Sequence, residues 1–221
     1  MGQDESLAAE AVRCGDVDGL KNLLGANPAL ATARIDGKRT LLHAATDWPG
    51  HFPNGPAIVV VLIEAGAEVN APFTGNHEET PLHWAASSDD VPVLDTLLDR
   101  GANIEVMGSV IDGGSPLADA VAFGQWNAAR RLVERGARTT IWQAAALGIM
   151  ADLEAHLAAQ PSRDEITNAF WCACHGGQRG TAEVLLTQGA DLHWVGYDGL
   201  TPIDAANRSH ATELVEWLRS Q

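Results

Sequence analysis

The sequence predicts an all-α chain built from repeated helix–turn–helix units, and three observations predict it. Short stretches that open on Thr or Ser and run into Leu and Ala recur along the chain. They are Thr40-Leu41-Leu42-His43-Ala44-Ala45, Thr80-Pro81-Leu82-His83-Trp84-Ala85-Ala86, Ser115-Pro116-Leu117-Ala118-Asp119-Ala120 and Thr201-Pro202-Ile203-Asp204-Ala205-Ala206. Apolar residues follow at helical spacing, as in Leu20, Leu23 and Leu24. Gly-Ala pairs then close the units at Gly66-Ala67, Gly101-Ala102, Gly136-Ala137 and Gly189-Ala190, where glycine supplies a left-handed helix end.

The recurring stretch has a mechanical reading. Thr80 caps a helix through its hydroxyl, and Pro81 suits the first helical position, where a missing N–H costs nothing. His83 is placed to bond a neighbouring loop. Ala85 and Ala86 are small enough for close helix packing. The stretch resembles the T-P-L-H-x-A signature of the ankyrin repeat, and Gly66-Ala67-Glu68-Val69-Asn70 resembles the ending of such a repeat.

The resemblance orders the chain. Units start near residues 6, 40, 80, 115, 139, 168 and 201, so the steps are 34, 40, 35, 24, 29 and 33, scattered about a period of ~33. The first unit opens at Ser6. The second carries about five extra residues, which fall in Trp48–Pro56, a segment rich in Pro, Gly and aromatics that reads as an ordered loop. The third is the most regular. The fourth opens on Ser115-Pro116-Leu117-Ala118-Asp119-Ala120, the fifth near Thr139 almost lacks its finger, and the sixth is placed near Asn168. The resemblance implies an ankyrin-repeat solenoid with short β-turn or hairpin fingers, a single domain over residues 1–221. In such a stack no unit buries its apolar face alone; each covers its neighbour.

Composition bounds the partners. The net charge is -15, with 14 Lys and Arg against 29 Asp and Glu, and only Lys21 and Lys38 are lysines. Such a surface disfavours phosphate backbones and anionic membranes, so neither nucleic acid nor membrane is an expected partner. A basic or mixed protein surface, or a cationic small molecule, is electrostatically easier. The longest apolar run, 57–63, is too short to span a bilayer. The opening residues lack the basic and apolar regions of a signal peptide, and the three cysteines imply no complete disulfide framework. A cytoplasmic setting is expected. High Ala, and Arg in preference to Lys, suggest a GC-rich bacterial source.

The resemblance implies that inner helices and fingers line a concave groove. Helical phase then puts positions +4, +7, +8 and +11 from each unit's origin on one stripe. The candidate binding residues are Asp47, Trp48, His51, His77, Trp84, Ser88, Asp119, Phe123, Trp126, Gln143 and His175. Trp48, Trp84, Phe123 and Trp126 come from successive units and could form one aromatic patch, with Asp47 and Asp119 beside them; the loop with His51 and Phe52 could close over it. Trp84 equally fits a shield over a neighbouring helix, and Trp126 a core place between helices. His43 and His83 belong to the repeat motif and read as structural.

Catalytic candidates are Asp119, Asp47, His77 and His175, should they converge on a ligand. Asp119 sits on the stripe beside Phe123, where desolvation would raise its pKa. Cys172-Ala173-Cys174-His175 has the residue types of a metal site but not the spacing, because residues two apart on a helix point away from each other. No metal and no cofactor is expected, and no G-x-S-x-G, P-loop or dinucleotide motif is present. Two functions remain. One is a protein–protein interaction module using the groove. The other is a small-molecule-binding or catalytic protein using the aromatic and carboxylate residues of the same groove.

Overall fold

The computed structural model describes residues 2–221, and among them the chain is helical with no strand. It divides into two compact units, Met1–Ala137 and Arg138–Gln221.

The first unit holds four helical pairs: α1 (Gln3–Cys14) with α2 (Val17–Ala26), α3 (Leu41–Thr46) with α4 (Gly55–Glu64), α5 (Pro81–Ser87) with α6 (Val91–Asp99), and α7 (Pro116–Ala122) with α8 (Trp126–Glu134). The inner helices stack in the order α1, α3, α5, α7, and the outer ones in the order α2, α4, α6, α8. Buried alanines such as Ala44, Ala85, Ala86 and Ala120 let the inner helices approach, while Leu62, Leu94, Leu97 and Leu132 fill the layer behind them. The second unit repeats the plan with α9 (Ile141–Leu147) and α10 (Met150–Ala158), α11 (Arg163–His175) and α12 (Arg179–Thr187), and α13 (Pro202–Arg208) and α14 (Thr212–Leu218). Here α11 packs between α9 and α13.

Inner helices begin at the expected caps Thr40, Thr80, Ser115 and Thr201. Elsewhere the helices start from other residues. α1 is capped at Gly2, whose N–H donates to Glu5 Oε2 at 2.7 Å, so Ser6 lies inside the helix. α9 is capped by Thr140. α11 is capped by Ser162, with Glu165 completing a reciprocal box, so Asn168 is mid-helix. In both long helices a local Glu at the third helical position satisfies an earlier N–H than the repeat phase would choose.

The motif histidines join the repeats. Thr40 N–H donates to His43 Nδ1 at 3.3 Å, and Thr80 N–H to His83 Nδ1 at 3.0 Å. With Nδ1 accepting, the ring proton belongs on Nε2. His43 Nε2–H then donates to the Glu79 carbonyl at 3.1 Å, and His83 Nε2–H to the Gly114 carbonyl at 3.2 Å. Each ring therefore caps its own helix and holds the next finger. Burial drives the His43 pKa down to about 4 and lowers that of His83, so both are neutral in the folded chain. The unfolded chain binds their protons near pH 6.5. Their contribution is fully present above that value and is lost as pH falls toward 4.

Gln143 shows what a non-bridging residue does at the same place: its Oε1 accepts Thr140 N–H at 2.8 Å, which caps the helix. His43→Gln is therefore expected to keep the cap, lose the bond to Glu79, and cost about 1–3 kcal/mol at pH 7. Denaturant unfolding should show that deficit shrinking by about 1.4 kcal/mol per pH unit below pH 6.5. A deficit that does not change with pH would contradict the assignment.

Candidate functional site

The fingers of the first unit build a buried polar cluster. The 71–80 finger closes on itself through Phe73 N–H to the Glu79 carbonyl at 2.7 Å, and the 105–114 finger packs beside it through Glu78 N–H to the Gly108 carbonyl at 3.1 Å. Gly108 has φ +135°, and a Cβ there would lie 2.6 Å from the Glu78 carbonyl oxygen, so only glycine admits this approach.

Glu79, buried, is the hub. Its Oε1 accepts Val110 N–H at 2.9 Å and its Oε2 accepts Trp84 Nε1–H at 2.8 Å. His77 Nδ1 lies 3.2 Å from Oε2, a close contact without hydrogen-bond alignment. His77 stacks flat on Phe73, with centroids 4.3 Å apart, and Trp84 meets His43 edge-on at 5.0 Å. Asp119 is fully buried on α7. Its Oδ1 accepts a short hydrogen bond from Ser109 Oγ. Burial, opposed by the Ser109 bond and reinforced by the Glu79 charge, pushes its pKa up to about 8. At neutral pH Asp119 therefore keeps its proton. Its Oδ2 has no partner if both groups are counted as ionised, but a protonated Asp119 donates to Glu79, the side-chain bond that also raises its pKa. An open cleft of about 650 Å³ lies over this cluster, lined by residues that include His77, Glu78, Ser109, Val110 and Asp112.

The remaining candidates go elsewhere. Asp47 is bound to Arg39 at 2.7 Å. Trp48 is 78% exposed, and Phe123, at the end of α7, is 51% exposed. His51 N–H donates to Asp90 Oδ2 at 2.7 Å while its ring stays largely in solvent. Ser88 is buried, its hydroxyl donating to the Thr46 carbonyl at 3.2 Å. Trp126 is half-buried at the start of α8. In the second unit Gln143 is buried as a cap, and His175 ends α11, stacked on Trp171 at 5.5 Å.

The aromatic and carboxylate residues thus do not gather into one patch: Trp84 turns its indole N–H to Glu79, and Asp119 lies inside, away from the open face. Helical phase places Asp119 beside Phe123 on the stripe, but its carboxyl turns to the finger that precedes its own helix and accepts the Ser109 hydroxyl there. Glu79 and Ser109 carry the cluster and were not among the sequence candidates. Their partners lie 10 and 31 positions away in the chain, so local spacing carries no signal for them. Cys172 and Cys174 are both buried, which raises both thiol pKa values, that of Cys174 to about 12. The Cys172 thiol reaches Asn168 instead of the open stripe.

A family model described as ankyrin repeats in three copies matches residues 7–108 and 54–143. An ankyrin repeat and KH domain-containing protein of Caenorhabditis briggsae is 29% identical over 175 residues, 74% of this chain and 6% of that protein. An ankyrin repeat protein of fowlpox virus is 33% identical over 135 residues, 60% of this chain and 28% of that protein. The chain therefore aligns with only a minor part of these relatives. Among solved structures, the ankyrin repeat domain of human ASB11 is similar in fold, with TM-score 0.58 and 20% identity, covering 99% of this chain and 98% of that one. Among the described residues no helix is long and apolar enough to cross a membrane.

Trp84→Phe tests the hub. Removing the indole N–H leaves a buried Glu79 oxygen short of a donor, with an expected loss of about 1–3 kcal/mol in denaturant unfolding. A change below about 0.5 kcal/mol, the range of neutral surface substitutions, would show that this bond does not hold the cluster.

Proposed function

We propose that this chain, which belongs to the ankyrin-repeat family, binds another protein and that its first unit anchors that partner on the indole of Trp48. Ankyrin repeats serve generally as protein–protein interaction modules. The observation that carries the reading is a tryptophan 78% exposed on a loop that is fastened at both sides.

The fastening is specific. His51 N–H is held by Asp90 of the following repeat at 2.7 Å, and Asn54 Nδ2–H donates to the Gly15 carbonyl of the preceding repeat at 2.9 Å. Within the loop Gly50 N–H donates to the Asp47 carbonyl at 2.7 Å. Gly50 has φ +71°, and a Cβ there would meet the Ser88 Cβ at 2.8 Å. The extra residues of the second repeat are thus an ordered platform. An apolar ring held in place before binding loses little entropy on docking, and exposed tryptophans are frequent centres of binding energy.

Of the groups considered for acid–base work, the two carboxyls are engaged within the protein. Asp47 pairs with Arg39, and Asp119 with Ser109 and Glu79. That favours partner binding over catalysis or small-molecule capture in the same groove. The charge of -15 favours a basic or mixed partner surface.

Affinity capture with the whole chain, followed by measurement of the captured protein's affinity, tests the proposal. Trp48→Ala is expected to weaken binding about 30-fold or more, the equivalent of ~2 kcal/mol, with an unchanged Tm. Association should also slow as salt rises. Equal affinity of the two proteins would sink the anchor, and a salt-independent on-rate would remove the electrostatic part.

A further inference from the structure

We infer that Glu79 and Asp119 share a single proton, and that this proton ties α7 to the 71–80 finger around the Ser109–Val110 turn, so that its loss loosens that turn.

The geometry places the pair at a junction of three segments. Glu79 belongs to the 71–80 finger and Asp119 to α7; beside the His83 bond to Gly114, both hold the 105–114 finger, Glu79 through Val110 N–H and Asp119 through Ser109 Oγ. Ser109 Oγ also accepts Ile111 N–H at 2.7 Å, so the finger's turn is built around the same hydroxyl. Glu79 already accepts N–H groups on both oxygens, which suits the ionised partner. Asp119, buried and taking a donor only on Oδ1, suits the protonated one. With the proton present, Oδ2–H donates to Glu79 and the junction carries one negative charge. When the proton leaves for water, two ionised carboxylates share one buried site, and their repulsion acts on the Ser109–Val110 turn that both hold.

Other ionisable groups surround the pair. Glu78 and Asp112 line the cleft with Ser109 and add negative potential. His77 touches Glu79, and His83 is kept neutral by burial. On α8, which packs against α7, Arg131 is engaged with Asp95 and Glu134, and Arg130 reaches the Trp126 carbonyl. The rise of the Asp119 pKa to about 8 agrees with the arrangement. The folded chain holds this proton between the unfolded value near 3.9 and about 8, so the clasp is closed at neutral pH and opens as pH rises through 8. Met107 and Val110, 63% and 51% exposed, ride on this finger. The clasp therefore sets whether they belong to a fixed surface.

The test is hydrogen exchange of the full chain from pH 6 to 9, corrected for intrinsic rates, with infrared spectra of the same samples. The wild type should lose protection in residues 105–114 above about pH 8, and a neutral-carboxyl band should be present at pH 7 and vanish in step. Asp119→Asn retains an acceptor for Ser109 and a donor for Glu79, so it should hold finger protection flat with pH and lack the band. Wild-type protection that does not change with pH, an equal fall in Asp119→Asn, or a band that survives that substitution would each overturn the inference. Ser109→Ala keeps both carboxyls and removes the donor that favours ionised Asp119, so the infrared transition should move to higher pH. An unmoved or lowered transition would count against the pair even if Asp119→Asn failed to fold.

Discussion

A ring with two nitrogens, placed three residues after a helix cap, decides how these repeats hold together. Helix stacking buries apolar area but is tolerant of sliding, because alanine and leucine faces fit one another in more than one position. The histidine bond is not tolerant. Its Nδ1 is tied to the Thr N–H of its own helix, so Nε2–H points in one direction, and only one carbonyl of the next finger lies there. Register between neighbouring repeats follows from that pair of bonds. The finger it fixes then carries the carbonyl, glycine turn and side chains on which the next contacts depend.

Where the histidine is replaced, the structure separates its two duties. Gln143, Glu165 and Asp204 each take the cap N–H of Thr140, Ser162 and Thr201, so local helix initiation survives. Ala118 can perform neither duty. The 105–114 finger, which His83 holds through the Gly114 carbonyl, is tied a second time by Asp119 and Glu79. Asp119 lies beside Glu79 in that buried site by keeping its proton, since burial and the Glu79 charge both disfavour a second ionised carboxylate. The cost of burying an ionisable group thus becomes a dependence on pH at one place in an otherwise regular stack.

The exposed side of the first unit follows different physics. Trp48 owes its position to a loop whose ends are tied to repeats on both sides through Asn54 and His51. The insertion would be a long flexible loop if it were judged by length alone. The glycine at 50, which leaves room for Ser88, and the polar ties make it a rigid mount. Interaction modules gain affinity from such mounts because ordering has been completed on folding.

The sequence by itself determined the helical class, the repeat, the caps at Thr40, Thr80, Ser115 and Thr201 and the structural role of His43 and His83. Those features rest on contacts within a few residues, and local spacing encodes them. It also marked the 48–56 segment as ordered, from its Pro, Gly and aromatic content. The early caps of α1 and α11 were legible as Glu three residues inside Gly2 and Ser162, but the repeat phase overrode them. Only the tertiary structure decided that Asp119 faces inward, that Trp84 serves Glu79, and that the aromatic residues of the stripe part company. Helical phase gives the direction of a side chain to within one face of its helix. Whether that face meets water or the next finger depends on residues about thirty positions away, as Val110 is from Glu79, and no local pattern carries that separation.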